Sequence, residues 1–145
     1  MRTVPLLPAL SVLLSASAPA YAGDVTVSGT ITGLEGGARV NIAVMTQAEW
    51  ESDDAIVPSC RGLSLENESS STRYSLQVPP GEYAVVVFED GDGDNELTKN
   101  FLGIPSESFG FSRNYNPFRH FGPPGFDEIS ISLIRDRQVD IELID

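Results

Sequence analysis

The 145 residues contain one cysteine, one tryptophan and one histidine, and only nine lysines and arginines stand against 21 aspartates and glutamates. Each scarcity excludes something. A lone Cys60 cannot close an intrachain disulfide, so no covalent staple supports the fold. With only Arg61 beside it to lower its pKa, Cys60 reads as a small buried hydrophobe. A lone His120 leaves no histidine-rich zinc cluster, and no G-x-S-x-G or H-E-x-x-H motif occurs. The formal net charge of −12 argues against nucleic acid and against anionic membrane surfaces, both of which attract basic patches. No amphipathic stretch runs to three helical turns, and no apolar run reaches the roughly 20 residues that span a bilayer.

What is present begins with a segment that reads as separate from the fold. Arg2 supplies a short positive start, residues 4–16 are mostly apolar but broken by Pro5 and Pro8, and Ala20-Tyr21-Ala22 precedes Gly23. A charged start, an apolar stretch and an A-x-A site describe a signal peptide. With no cysteine after the apolar stretch, it is not a lipoprotein signal. Residues 1–22 are therefore expected to be removed and 23–145 to form one domain, exported to the periplasm or secreted. Loss of Arg2 takes the mature charge to −13.

The mature chain has a period of two. Val25, Val27 and Ile31 alternate with polar residues, with a bulge or close approach expected at Gly29. After the Glu35-Gly36-Gly37 turn, Val40, Ile42 and Val44 alternate in the same way, which predicts a hairpin. Residues 47–54 suit one short helical turn. Leu63 and Leu65 predict a short strand, and Tyr74, Leu76 and Val78 a longer one that ends at Pro79-Pro80-Gly81. Residues 83–88 are apolar throughout, as in a central strand buried on both faces. Ile129, Ile131 and Leu133, then Val139, Ile141 and Leu143, predict a closing hairpin around Arg135-Asp136-Arg137. Six or seven short strands and no sizeable helix define an all-β chain, an antiparallel β-sandwich of immunoglobulin or transthyretin type, with one long irregular loop at 89–128.

That loop opens with FEDGDGDNEL at residues 88–97, which gathers Glu89, Asp90, Asp92, Asp94 and Glu96. Gly91 and Gly93 allow a tight curl. Carboxylates at relative positions 1, 3 and 5, a main-chain carbonyl at 7 and an apolar residue at 8 match the front half of an EF-hand calcium loop. Asn95 holds position 6, where a left-handed backbone is needed. Position 12 is Phe101, which cannot close the shell, so the missing donor must come from Asn100, Thr98, Glu107 or water. Oxygen donors without His or Cys select calcium. The expected ligands are Asp90, Asp92, Asp94, the Glu96 carbonyl and Asn100, with affinity in the ~10⁻⁴–10⁻³ M range of extracellular modules.

Residues 101–126, FLGIPSESFGFSRNYNPFRHFGPPGF, are rich in phenylalanine. These rings either fold down as a satellite core or form a platform for a sugar or peptide. On the second reading Glu107, Phe111, Arg113, Tyr115, Arg119 and His120 are the candidate ligand-binding residues. Arg113, Arg119 and His120 would pair with the acidic loop or hold an anion. Glu107 and Asp127 could serve a glycoside hydrolase only if the fold brings them to about 5–10 Å.

Residues 79–114 resemble the signature region of a family of small exported bacterial proteins, domain of unknown function 2141. The shared pattern is Gly81, Tyr83 and Ala84, an apolar strand, Asp90, Asp92, Asp94 and Leu97, then Asn100, Gly103, Ile104, Pro105 and Glu107, and Gly110-Phe111-Ser112. Thr98 departs from the aspartate usual there and removes one potential ligand. The turn that enters the apolar strand is also similar to transthyretin-like and carboxypeptidase-regulatory-like sandwiches. This likeness implies a fold and no activity. The expectation is an exported, non-catalytic, calcium-stabilised β-sandwich that binds a protein or glycan of the cell envelope. The alternatives are a small hydrolase using loop carboxylates and a purely structural accessory domain.

Overall fold

A computed structural model describes residues 23–52, 54–58, 61–97 and 107–144. Cys60, Thr98, Asn100 and the segment 1–22 lie outside the described residues. Nine strands form two sheets, joined as a sandwich without closing into a barrel. The first sheet holds β1 (Val25–Thr32) between β4 (Ser71–Val78) on one side and β8 (Arg137–Gln138) and β9 (Ile141–Glu142) on the other. The second has the order β3 (Leu63–Glu66), β2 (Arg39–Met45), β5 (Gly81–Asp90), whose far edge is shared by β6 (Phe109–Phe111) and β7 (Ser130–Leu133). Pairing is antiparallel except where β8 and β9 run parallel to β1.

Strand β5 is central and buried on both faces, as its unbroken apolar run requires. Val85 and Val87 face the interior between the sheets, with Val27, Ile31, Val40, Ile42 and Leu133. Val86 and Phe88 face the opposite way, into a second core with Trp50, Phe109, Phe111, Phe126 and Ile129. Short helices cover this second core: α1 (Gln47–Glu51), a single 3₁₀ turn (Ser112–Asn114), α2 (Pro117–His120) and α3 (Phe126–Ile129). Helix α1 begins where Thr46 and Glu49 cap each other's backbone amides. Its Trp50 indole donates to the Pro124 carbonyl and meets Phe111 edge-on. The stretch 89–128 is thus less irregular than its sequence suggests, and three of its six described aromatic rings, Phe109, Phe111 and Phe126, are core, with Tyr115 packed partly buried against them.

Neither predicted hairpin forms. β1 and β2 belong to different sheets, and so do β7 and the β8–β9 pair. Alternation shows that one face of a strand is buried. It does not say which of two facing sheets the strand joins. Residues 33–38 cross between the sheets with Gly33, Gly36 and Gly37 at positive φ (79°, 85° and 83°). The β3–β4 connection crosses beside them, and two hydrogen bonds tie the crossings together, Leu34 N to Ser70 O and Gly37 N to Asn67 O. The strand count exceeds expectation for two reasons. β6 has three residues, and the last edge segment is divided into β8 and β9.

That division has a visible cause. At Val139 the chain lifts toward β1, and the Val139 carbonyl accepts from the buried Tyr74 hydroxyl at 2.6 Å. Where ladder partners are missing, side chains replace them. Asp136 Oδ1 accepts from Thr26 N, and Asp140 Oδ1 accepts from Thr30 N. The Thr30 amide, with Gln138, holds the Asp140 carboxyl below its ordinary range. The expected close approach at Gly29 is here: a Cβ on Gly29 would sit 2.0 Å from the Val139 oxygen. Gly29→Ala is therefore expected to lower stability by about 1–3 kcal/mol or more, read as a lower urea midpoint. An unchanged midpoint would show that the β1 edge can relax.

Candidate metal centre

The register of β5 and β6 positions the site. Val86 lies opposite Phe111 and Phe88 opposite Phe109, and the ladder is prolonged by Glu89 N donating to Ser108 O at 2.9 Å. One step further, Asp90 and Glu107 come opposite each other. Side chains alternate along a strand, so Glu89 and Asp90 take different faces. Glu89 is buried and accepts from the amides of Glu35 and Gly36 at 2.9 and 3.0 Å. It clamps the first crossing and takes no part in the acidic cluster.

Beyond Asp90 the loop is organised by its own carboxylates. Asp90 accepts from Gly93 N and Asn95 N, each at 3.0 Å, which holds the curl closed. Asp92 Oδ1 accepts from Asp94 N, and Asp94 Oδ1 from Glu96 N. Asn95 has the left-handed backbone expected of position 6 (φ 59°). Its side-chain oxygen accepts from Arg39 and from the buried Asn41. Leu97, at position 8, is buried and exchanges both backbone hydrogen bonds with Ile56 at 2.8 Å. The loop therefore leaves β5 and is pinned again seven residues later.

Asp90, Asp92, Asp94 and Glu107 each bring one oxygen to within 4.8 Å of the others. Asp90 and Glu107 are buried, and Asp92 and Asp94 are exposed. Among the described residues no cationic side chain pairs with any of them. The ion pairs there are Arg39–Glu66 and Arg61–Glu49. Glu107 is 8% exposed, and its Oε1 is buried without a hydrogen-bond partner. Burial raises the Glu107 pKa to about 7, with further contributions from the charge of Asp92, a carboxyl–carboxyl hydrogen bond with Asp92, and the charges of Asp90 and Asp94. Asp92 is held below its ordinary range, chiefly by the Asp94 amide. Four carboxylates that share so small a space, with no His or Cys among them, could hold a hard metal ion.

Glu107 thus joins the acidic group and leaves the aromatic ligand set. Its sequence signal was the residue sum across the β5–β6 ladder, readable only once the two strands are known to pair. Glu96 is exposed and its carboxylate stands outside the cluster, so only its carbonyl is available for the role expected of it. The remaining ligand-binding candidates scatter. Phe111 is fully buried and has no face for a ligand. Arg113 donates to the Asp127 carbonyl, Tyr115 stacks on His120 with ring centroids 4.5 Å apart, and Arg119 is exposed. The hydrogen bonds of Arg113 and His120 and the Tyr115–His120 stack thus fall within residues 113–127.

Fold and site together define a two-sheet β-sandwich carrying an acidic loop able to hold a metal ion. The chain belongs to the bacterial family described as "Uncharacterized protein conserved in bacteria (DUF2141)", whose pattern it matches over residues 25–142. No curated protein and no solved structure matches it. No helix among the described residues is long and apolar enough to cross a membrane.

The cluster predicts a pH dependence for the cation-free protein. Folded Glu107 keeps its proton up to about pH 7, whereas the unfolded chain releases it near 4.5. Between these values the native state binds more protons, so stability is greatest at the acid end and falls as pH rises toward 7. Asp92, shifted downward, contributes its own loss only on acidification below its ordinary 3.8, outside this window. Melting curves in chelator from pH 4.5 to 7 are expected to show this decline, and Glu107→Gln to abolish it. An equal decline in Glu107→Gln would assign it to other groups.

Proposed function

We propose that this protein is an exported, non-catalytic β-sandwich whose acidic loop is locked by calcium, and that the locked domain binds a protein or glycan of the cell envelope. One observation carries the calcium reading: the buried, unpartnered Oε1 of Glu107 among three aspartates. A carboxylate removed from water without a partner is unfavourable unless it is protonated or paired with a cation. Calcium at its usual 2.3–2.6 Å would hold opposing oxygens roughly 4.6–5.2 Å apart, whereas magnesium would require roughly 4.0–4.2 Å. Four carboxylate oxygens within 4.8 Å of one another are close enough to share one ion, and a flexible all-oxygen loop suits calcium better than the tight octahedron magnesium demands. Glu107 supplies the closing carboxylate that Phe101 cannot, with the Glu96 carbonyl and Asn100 or water available to complete the shell. The dissociation constant is then expected below ~10⁻⁴ M, at the tight end of extracellular sites or beyond.

Export is supported by Arg2, the apolar stretch and Ala20-Tyr21-Ala22. The intact mass of protein recovered from the producing cell is expected to correspond to a chain starting at Gly23. A cytoplasmic product retaining residues 1–22 would refute export and leave the calcium reading untouched.

Calorimetric titration of chelator-treated protein tests the ion. Calcium is expected to bind with 1:1 stoichiometry and to stabilise by ~2.7 kcal/mol at a hundredfold excess over the dissociation constant. Asp92→Asn and Glu107→Gln are each expected to weaken binding at least tenfold while leaving the sandwich folded. Equal melting temperatures in calcium, magnesium and chelator would rule out a built site. A raised carboxyl pKa is also what a general acid needs, which favours a small hydrolase as the second reading. Turnover of an envelope oligosaccharide, lost in Glu107→Gln and retained in chelator, would establish that reading instead.

A further inference from the structure

Among the described residues, four large apolar side chains are exposed: Val57, Phe118, Phe121 and Ile134. Phe121 is the extreme case, 96% exposed. It is also in the left-handed region (φ 59°, ψ 38°) as the residue that ends α2, a position that favours glycine or asparagine. The Gly122 amide bonds back to the Pro117 carbonyl, so the turn itself uses only backbone. Phe121 therefore contributes no packing inside the domain and holds an unfavourable backbone conformation. Half-exposed Phe118 lies on the same short helix, with Arg119 and His120 between the two rings. In a chain of net charge −12, residues 113–121 form an apolar knob with a basic flank.

A complementary surface lies on the same chain. A groove of about 370 Å³ runs beside α1, with Met45, Ala48, Ala55 and Val57 as its apolar part and Glu49 and Asp54 as its acidic part. Glu49 is engaged by Arg61. Asp54 has no cationic partner among the described residues. Knob and groove together account for three of the four exposed apolar side chains. The groove lies against α1, whose Trp50 indole donates to the carbonyl of Pro124, three residues after Phe121 in the chain.

We propose that the protein self-associates by seating Phe121 of one copy in the α1 groove of a second, with Arg119 against Asp54. The occupant is a second copy because both complementary halves, apolar against apolar and basic against acidic, are built on one chain. This inference does not depend on the calcium reading.

Sedimentation of the full chain across concentrations up to about 1 mM tests it. The wild type is expected to associate. Phe121→Ala and Val57→Arg are each expected to be monomeric. Phe121→Gly, which relieves the backbone, is expected to melt no lower than wild type, showing that lost association is not lost folding. An equimolar mixture of Phe121→Ala and Val57→Arg retains one intact groove and one intact knob and is expected to associate again. Wild type that stays monomeric, Phe121→Ala that associates like wild type, or a mixture that stays monomeric each overturns the proposal. Monomeric wild type that binds anionic vesicles through Phe121 overturns it too, and identifies a membrane surface as the occupant.

Discussion

From Tyr83 onward strand β5 has no side that faces water, and most of the molecule follows from that. A strand with two apolar faces needs a layer on each. One layer is the opposite sheet. Among the described residues no third sheet covers the other, and α1, two further short helices and the aromatic segment 109–129 do so instead. The phenylalanines that looked like a binding platform are largely the second layer. Phe109 and Phe111 sit opposite Phe88 and Val86 on β5, and Gly110 between them faces the other sheet. A side chain there would meet the Glu142 backbone and Ile141 at 2.7 Å.

The same strand explains why like charges gather. Its ladder with β6 ends at Phe88–Phe109 and is extended by the Glu89–Ser108 hydrogen bond, and the residues one step beyond on each side, Asp90 and Glu107, are acids. Geometry therefore brings Asp90 and Glu107 together at the rim of a dry core, where water cannot fully screen them. The loop adds Asp92 and Asp94 on the outside. It returns to the fold at Leu97, whose pairing with Ile56 fixes the far end. The front half of a calcium loop is usually closed by a residue seven further along the same segment. Here the fourth carboxylate of the cluster, Glu107, comes from outside that segment, two residues before β6. A sheet holds its strand spacing more rigidly than a loop holds its curl, so the site's size is set by backbone pairing.

The sequence made some of this legible. The buried central strand, a short helical turn within 47–54, the turn at Asn95 and the close approach at Gly29 were all readable, because each depends on local chemistry: an apolar run, a polar stretch around Ala48 and Trp50, a left-handed position, a missing Cβ. Which strands are neighbours was not. β1 and β2 look like a hairpin because both alternate and a glycine turn joins them, yet that turn carries the chain from one sheet to the other. β6 escaped notice since three residues, Phe-Gly-Phe, carry no periodicity. Glu107 was one of several candidate donors in the sequence, and only the β5–β6 register singled it out. The exposed Phe121 had no signal at all, since its neighbours on either side are aromatic or helix-ending residues that become core as readily as surface.

The parallel pairing of β1 with β8 and β9 has a kinetic consequence. Val27 and Ser28 are joined to Arg137 and Gln138, and the side-chain bonds that complete this edge span 110 residues. The first strand of the domain therefore lacks one of its two neighbours until nearly the whole chain is available. Closing so long a loop is entropically costly before any contact rewards it, which makes such sheets slow to form. A chain emerging from the ribosome would keep its first sheet incomplete until residues 137–142 have been made.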